Sequence, residues 1–244
     1  MGIANERRGF YSCRKQKPRD ATMPQPDLRL LFRTDALGQP ASFVDVIDDG
    51  LDGALDARIP ELLALLNGPK GEAALKAALM LLSWGHREAF QVLENWSAHP
   101  NTVPWASESI TKQRHSGADG SWSLIADAIR TSRYAKVRPT LDTDRLAAIR
   151  GLLCLTVDED FDRSLATTIA SISDAAELLA DDLCSSIERL ISSEESEQFD
   201  RLFQAALLSK ELARARPDRA KVFAQTIAAK SPSQRTQREL NDLL

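Results

Sequence analysis

The feature that most constrains the fold of this chain is the recurrence of apolar residues at helical spacing between residues 42 and 230. Phe43 and Ile47 lie four residues apart near the start of this region, and Leu183 and Ile187 repeat the spacing much later. Residues three or four apart share one face of an α-helix, so each such segment predicts an amphipathic helix. The pattern returns in successive segments, which predicts an all-α chain of about ten helices.

Proline and glycine divide the periodic pattern into separate helices. Pro60 suits the first turn of a helix, and Asn67-Gly68-Pro69 then ends that helix. The next helix is predicted from Gly71 to Trp84, and Pro217 opens the last long helix. The inward faces of the helices predict a core that includes Leu79, Phe90, Leu153, Leu183, Phe203 and Phe223.

Three further helix starts are predicted from capping residues. Ser121 precedes an apolar segment and is expected to be an N-cap. Asp174 with Glu177, and Ser192 with Glu195, have the spacing of a capping box, in which the cap side chain and the third helical residue exchange hydrogen bonds.

The domain organisation expected from the sequence is one helical domain preceded by a basic arm. Residues 1–27 are rich in Arg and Lys and interrupted by prolines, which predicts a flexible arm, and Met23 is an alternative start. Residues 28–244 are predicted to form a single all-α domain. Within it, residues 28–42 fit either a short strand or a helical turn, and residues 98–120 are a loop-rich interruption.

Composition narrows the possible partners and locations. Of the 244 residues, 43% are hydrophobic, which is enough for a packed core, and the net charge of −4 disfavours nucleic acid and anionic membranes. Three widely separated cysteines argue against a disulfide framework, so the expected location is the reducing cytoplasm. The longest apolar stretches, such as residues 77–82, are far shorter than a membrane span.

One part of the chain, residues 59–97, resembles HEAT-like helical repeats. Residues 59–69 look like the second helix of one repeat with its turn, and residues 73–79 look like the Ala-rich first helix of the next. Residues 83–89 look like the turn within that repeat, and Val92-Leu93 like part of its second helix. The resemblance implies an α-solenoid of stacked antiparallel helical hairpins, whose extended surface is used for binding.

The sequence contains no pattern typical of a catalytic centre. His86, His99 and His115 lack the close helical spacing of zinc ligands, and no serine lies in a nucleophile-elbow motif. Cys154 and Cys184 lie on or beside apolar helix faces, where a thiol usually packs as a small hydrophobe. We therefore predict no catalytic residues, no metal site and no cofactor.

Charge is the least random feature of the chain. Thirteen acidic residues and only two basic ones lie between residues 158 and 200. Helical spacing places several of the acidic residues on one face of one predicted helix. These residues are Asp174, Glu177, Asp181 and Glu188, with Asp182 at the margin. The face is either a solvated outer surface or a docking surface for a basic partner.

The charge balance reverses after residue 209, where eight basic residues precede Glu239 and only Glu211 and Asp218 oppose them. Two interpretations follow. This segment either neutralises the acidic face within the protein or binds phosphate-bearing ligands.

Trp105 is a further candidate for partner binding. It lies in the interrupted segment beside Pro104, where helix packing does not assure its burial. A solvent-facing tryptophan is a frequent hot spot of protein interfaces.

These observations favour a non-enzymatic module that binds another, basic protein. A stoichiometric inhibitor, such as a bacterial immunity protein that neutralises a basic nuclease-like toxin, is the concrete hypothesis. The alternative is a helical-repeat enzyme resembling an alkylpurine DNA glycosylase, because residues 112–150 carry eight basic and four acidic side chains near Trp122 and Asp127. A sensor for a small ligand is the third hypothesis.

Overall fold

The computed structural model describes residues 27–68, 71–106, 120–138, 142–194 and 198–244. Apart from an isolated antiparallel bridge between Thr34 and Pro40, these residues contain no strand. Their α-helices are α1 (Leu28–Arg33), α2 (Phe43–Gly50), α3 (Ile59–Leu66), α4 (Gly71–Ser83), α5 (Arg87–Ala98), α6 (Ser121–Thr131), α7 (Asp142–Cys154), α8 (Ser164–Ala170), α9 (Ala175–Leu178), α10 (Ala180–Ser192), α11 (Arg201–Leu212), α12 (Pro217–Lys230) and α13 (Gln234–Leu240).

The prediction of an all-α chain is confirmed for the described residues, but the number of helices was underestimated. Thirteen α-helices are present there instead of about ten. The difference comes from short helices, since α1, α9 and α13 have six, four and seven residues. Segments of that length span two turns or fewer, which is too little for a 3.6-residue period to show clearly. Residues 28–42, for which a short strand and a helical turn were both possible, form the helix α1 followed by a turn.

Two predicted helix starts are displaced in the structure. Ser121 is the first helical residue of α6, and Gly120 occupies the N-cap position. Ser192 is the last residue of α10, whereas α11 begins later, where the Asp200 carboxylate accepts a hydrogen bond from the Phe203 amide at 2.8 Å. The capping box predicted from Ser192 is therefore wrong, and its second member, Glu195, lies outside the described residues. Asp200 satisfies the same need for an acceptor at a helix N-terminus.

The helices from α4 onwards pack in two rows. In the first row α4 contacts α6, α6 contacts α8, and α8 contacts α11. In the second row α5 contacts α7, α7 contacts α10, and α10 contacts α12. The rows also touch each other, because α4 packs on α5, α6 on α7, and α11 on α12. At the ends, α3 packs against α4, and α13 packs against α11.

The core lies where the apolar helix faces meet, and it contains every residue selected from the sequence. All six predicted core residues are buried, namely Leu79, Phe90, Leu153, Leu183, Phe203 and Phe223. Phe203 lies apart from the main core, in a small cluster with Ala166 and Leu207. The helix faces were thus assigned correctly, even where the helix ends were not.

Gln204 of α11 ties the connection between α7 and α8 to that helix. The Gln204 amide nitrogen donates to the main-chain carbonyls of Thr156, at 2.7 Å, and Glu159, at 3.3 Å. The Gln204 amide oxygen accepts the main-chain N–H of Phe161 at 2.8 Å. Because buried backbone groups need partners, this single residue satisfies three groups that an irregular segment would otherwise leave unpaired.

Candidate functional site

The acidic segment that begins at Asp174 is not one helix. Asp174 has a left-handed backbone (φ +58°), and its side chain makes no capping hydrogen bond. The four-residue helix α9 follows, and Leu179 (φ −110°, ψ 7°) separates it from α10. The break lets Ala175 and Ala176 of α9, as well as the apolar face of α10, reach the core. Asp174 does occupy the N-cap position of α9, but the predicted capping box and the single acidic helix are wrong, and the acidic residues do not share one helix face.

Basic residues of α7 and of the turn before α12 reach the acidic side chains of α10. Arg150 of α7 lies 3.1 Å from Asp182, and Arg216, just before α12, lies 2.8 Å from Asp181. Asp181 also raises the pKa of Arg216, because it accepts a hydrogen bond from the guanidinium and attracts its charge.

Glu188, further along α10, forms an ion pair with Arg219 of α12. The basic C-terminal segment therefore neutralises part of the acidic face, as one of its two interpretations expected. Each of these pairs is solvent-exposed, and exposed ion pairs contribute little to the stability of a fold.

The acidic residues that remain form a smaller surface than expected. Asp174 and Glu177 are exposed and have no ion-pair partner among the described residues. The side chain of Asp181 is 90% exposed despite its contact with Arg216. Leu178 lies between Glu177 and Asp181 in sequence, and this residue is 55% exposed. We call Asp174, Glu177, Leu178 and Asp181 the acidic surface.

A recess of about 300 Å³ lies beside the acidic surface. It is lined by the end of α8, by α9 and by Arg214, which lies just after α11. Asp174 and Glu177 contribute polar groups to its wall, and Ile169 and Ile172 contribute apolar ones. The recess therefore combines carboxylates and apolar surface with the guanidinium of Arg214.

A buried carboxylate lies close to this recess. Arg214 is 3.2 Å from the carboxylate of Glu211, a residue that is buried on α11. Burial raises the pKa of Glu211, while the positive charges of Arg214 and Lys210 act in the opposite direction. Glu211 thus holds Arg214 at the recess at the cost of its own desolvation.

Trp105 is buried, so the expectation that it presents an exposed hot spot is wrong. After α5 the chain makes a short 3-10 helix, Pro100–Thr102, and then turns inward, which buries Val103 and Trp105. Trp105 is 1% exposed and makes edge-to-face contacts with Trp96 (ring centroids 4.8 Å apart) and Trp122 (6.2 Å). Such aromatic pairs stabilise a core by area burial and by ring geometry. Residues 107–119 of the predicted interruption lie outside the described residues.

The residues invoked for a DNA glycosylase are engaged within the fold. Trp122 is buried in the aromatic cluster, away from any stacking position on a flipped base. Asp127 accepts a hydrogen bond from Arg130 at 2.9 Å and another from Ser164 at 3.0 Å.

Other basic side chains of this region also face carboxylates. Lys136 pairs with Asp52 at 2.9 Å, and Arg138 donates two hydrogen bonds to Asp56. The hydrogen bond from Arg138 holds the pKa of Asp56 below its usual value. Such pairs reduce the positive potential that a phosphate backbone would need.

Within the described ranges, no three His, Cys, Asp or Glu side chains come close enough together to hold a metal ion. None of the helices in the same ranges has both the length and the apolar character needed to cross a membrane. In comparison with known proteins, the chain gives no match to any family model, curated protein or solved structure.

Proposed function

We propose that this chain is a non-enzymatic protein-binding module that docks a basic partner on its acidic surface. Its mode of action would be that of a stoichiometric inhibitor, such as a bacterial immunity protein that covers a basic nuclease-like toxin. The observation that carries this proposal is the pair of exposed carboxylates, Asp174 and Glu177, with no cationic partner among the described residues and with exposed Leu178 beside them.

The arrangement of the helices supports the same class of function. We propose that α4 to α12 form a HEAT-like stack that includes the helical hairpins α4–α5, α6–α7 and α11–α12. The support is the pairing of neighbouring helices in sequence, together with the two continuous rows of contacts. Stacks of this kind present extended surfaces to other proteins.

The charge pattern matches what a docking surface requires. Unpaired surface carboxylates attract a basic partner over a Debye length of about 8 Å at physiological salt, and this attraction mainly accelerates association. An apolar side chain within the charged patch then adds contact area that excludes water once the complex has formed. Leu178 occupies that position on the acidic surface.

The test uses a short lysine oligomer as a probe of the acidic surface, followed by purified basic nuclease domains of bacterial toxins. Hydrogen exchange should show protection by the oligomer around residues 174–181. The triple variant Asp174→Lys, Glu177→Lys, Asp181→Lys should lose this protection. It should also slow the association of a cognate nuclease domain by about tenfold or more, with little change in the melting temperature.

The matched control reverses three exposed acidic residues on other helices, Asp48, Glu61 and Glu94. This variant changes the net charge by the same amount, so it separates a focused surface from overall acidity. Equal loss of oligomer binding in the two triple variants would contradict the proposal. Sub-micromolar binding of duplex DNA at physiological salt, lost on changing Arg130, Arg133 and Lys136, would support the glycosylase hypothesis instead.

A further inference from the structure

A second cavity lies at the opposite end of α10 from the acidic surface. Its volume is about 630 Å³, and its lining residues come from the end of α10, the start of α11, and the link from α12 to α13. This volume falls within the roughly 300–1,000 Å³ range of small-molecule sites. The proposed docking of a basic partner makes no use of this cavity.

Much of the cavity wall is apolar. The apolar lining residues are Leu190, Ile191, Phe199, Leu202 and Pro232. They come from three separate parts of the chain, and Phe199 and Leu202 are only partly buried. An aliphatic or aromatic group placed here would cover apolar surface that the fold leaves open, which favours binding by about 25 cal/mol per Å² removed from water.

Two positive side chains face the same space, and neither has a carboxylate partner among the described residues. The Lys230 ammonium donates to the main-chain carbonyl of Ile191 at 2.9 Å. Arg201 donates to the main-chain carbonyls of Val157, at 2.8 Å, and Glu194. An ammonium has three N–H donors and a guanidinium has five, so both groups keep unused donors. Their positive charge is likewise not neutralised by the carbonyls that they contact.

The acidic residues of the lining compete little for these donors. Asp200 is already engaged, because one of its oxygens accepts from the Phe203 amide and the other from the Thr236 hydroxyl at 3.2 Å. Glu194 lies at the solvent-exposed edge. The described wall therefore offers apolar surface together with two positive side chains, Lys230 and Arg201, that have no carboxylate partner there.

We propose that this cavity binds a small amphipathic anion. Its carboxylate, or an anion of similar size, would contact Lys230 and Arg201, and its apolar part would lie against Leu190, Phe199 and Leu202. The occupant is a free small molecule, because the cavity has the volume of a small-molecule site.

Titration calorimetry with three probes of equal chain length tests the charge assignment. Decanoate, decanol and decylammonium each contain ten carbons in an unbranched chain and differ in the charge of the head group. Decanoate should bind most tightly, and decylammonium most weakly. Lys230→Gln should weaken decanoate binding by about tenfold, the usual effect of losing one charge-assisted contact.

Lys221→Gln is the matched control, because Lys221 is exposed on the same helix and does not line the cavity. It should leave decanoate binding unchanged, and Lys230→Arg should retain most of it. Leu202→Trp should abolish binding by filling the space while the circular dichroism spectrum stays helical. This second variant keeps the test decisive if Lys230→Gln perturbs the end of α12.

Three calorimetric results would overturn the proposal. Decanol or decylammonium could bind as tightly as decanoate, Lys230→Gln and Lys221→Gln could have equal effects, or decanoate could give no saturable binding. Sedimentation with phosphatidylglycerol vesicles tests whether the bound anion is a lipid headgroup instead of a free molecule. Vesicle binding that depends on Lys230, without binding of monomeric decanoate, would also contradict it.

Discussion

The indole ring of Trp84 lies directly against the main chain of Gly50. A Cβ atom added to Gly50 would be 1.9 Å from Cε2 of Trp84 and 2.2 Å from its Nε1. The same Nε1 donates a hydrogen bond to the carbonyl of Ile47 at 2.9 Å. The last turn of α2 is therefore fixed to the end of α4 by both close packing and a hydrogen bond to a buried donor.

Gly50→Ala is expected to destabilise the protein by about 1–3 kcal/mol, because the added methyl group must displace a buried ring in a packed core. This cost should exceed the gain of about 1 kcal/mol that Ala brings over Gly inside a helix. Urea unfolding measures the change, and Asp48→Ala on the same helix should alter stability by less than about 0.5 kcal/mol. In a Trp84→Leu background the cost of Gly50→Ala should shrink, and strict additivity would refute the close contact.

A second close approach joins α5 to α7. A Cβ atom added to Gly151 would lie 2.4 Å from Oγ and 2.9 Å from Cβ of Ser97. Gly151→Ala should therefore lower the unfolding free energy by about 1–3 kcal/mol. Ser97→Gly removes both contacting atoms, so it should offset part of the destabilisation caused by Gly151→Ala. A double-mutant cycle should give a coupling energy of about 1 kcal/mol for this effect. A coupling near zero would indicate that α5 and α7 are further apart.

The buried carboxyl of Glu211 should make stability fall with rising pH. Burial raises the folded-state pKa of Glu211 above that of the unfolded chain. The folded state then holds its proton more tightly, so stability is lost between the unfolded pKa, about 4.3, and the folded one.

Glu211→Gln is accordingly expected to raise the unfolding free energy at pH 7 by on the order of 1 kcal/mol, with no difference below about pH 4. Thermal melts across pH measure this, and Glu94→Gln on the exposed face of α5 is the control. A Glu211→Gln variant that is less stable than the parent at pH 7 would show that the attraction of Arg214 outweighs desolvation.

Glu239 should have the opposite pH dependence. Hydrogen bonds from Arg163 and Lys210 lower its folded-state pKa, so its contribution is present above about pH 4.3 and is lost as the pH falls through the folded value. Glu239→Gln should lower the free energy of unfolding by about 0.5–1 kcal/mol at neutral pH and should leave it unchanged in strong acid. The expected loss is small because Arg163 is half exposed, which weakens its ion pair with Glu239.

Asp242→Asn is the matched control, because Asp242 is a more exposed carboxylate 3.5 Å from the same lysine, Lys210. Its effect on the melting temperature should be smaller. Equal effects of the two substitutions would mean that Glu239 does not hold α13 in place.

Long helices and the buried core could be predicted from the sequence. α4 begins at Gly71 and α12 at Pro217, as expected, because 13 and 14 residues give several turns of apolar periodicity. The selected core residues are buried for the same reason, since a helix face is fixed by spacing and does not depend on which helix packs beside it.

The candidate site was harder to predict because it depends on tertiary neighbours. The break at Leu179 leaves α9 with only four residues, which no period can reveal. The pairing of Asp182 with Arg150 joins residues 32 positions apart and requires α7 and α10 to be adjacent. Trp105 was misjudged because its polar, proline-containing surroundings predict a loop, while a single 3-10 turn returns it to the core.

The amide of Gln204 gives the connection between α7 and α8 an unusual intolerance of change in length. Surface connections generally accept inserted residues, because their backbone is solvated and few contacts constrain it. Here an inserted residue would carry the N–H of Phe161 or the carbonyl of Thr156 away from a fixed partner on α11. Peptide tags, fused domains or permuted termini therefore belong elsewhere, for example in the exposed turn at Gly38 between α1 and α2, where an added Cβ atom would have no other atom within 4 Å.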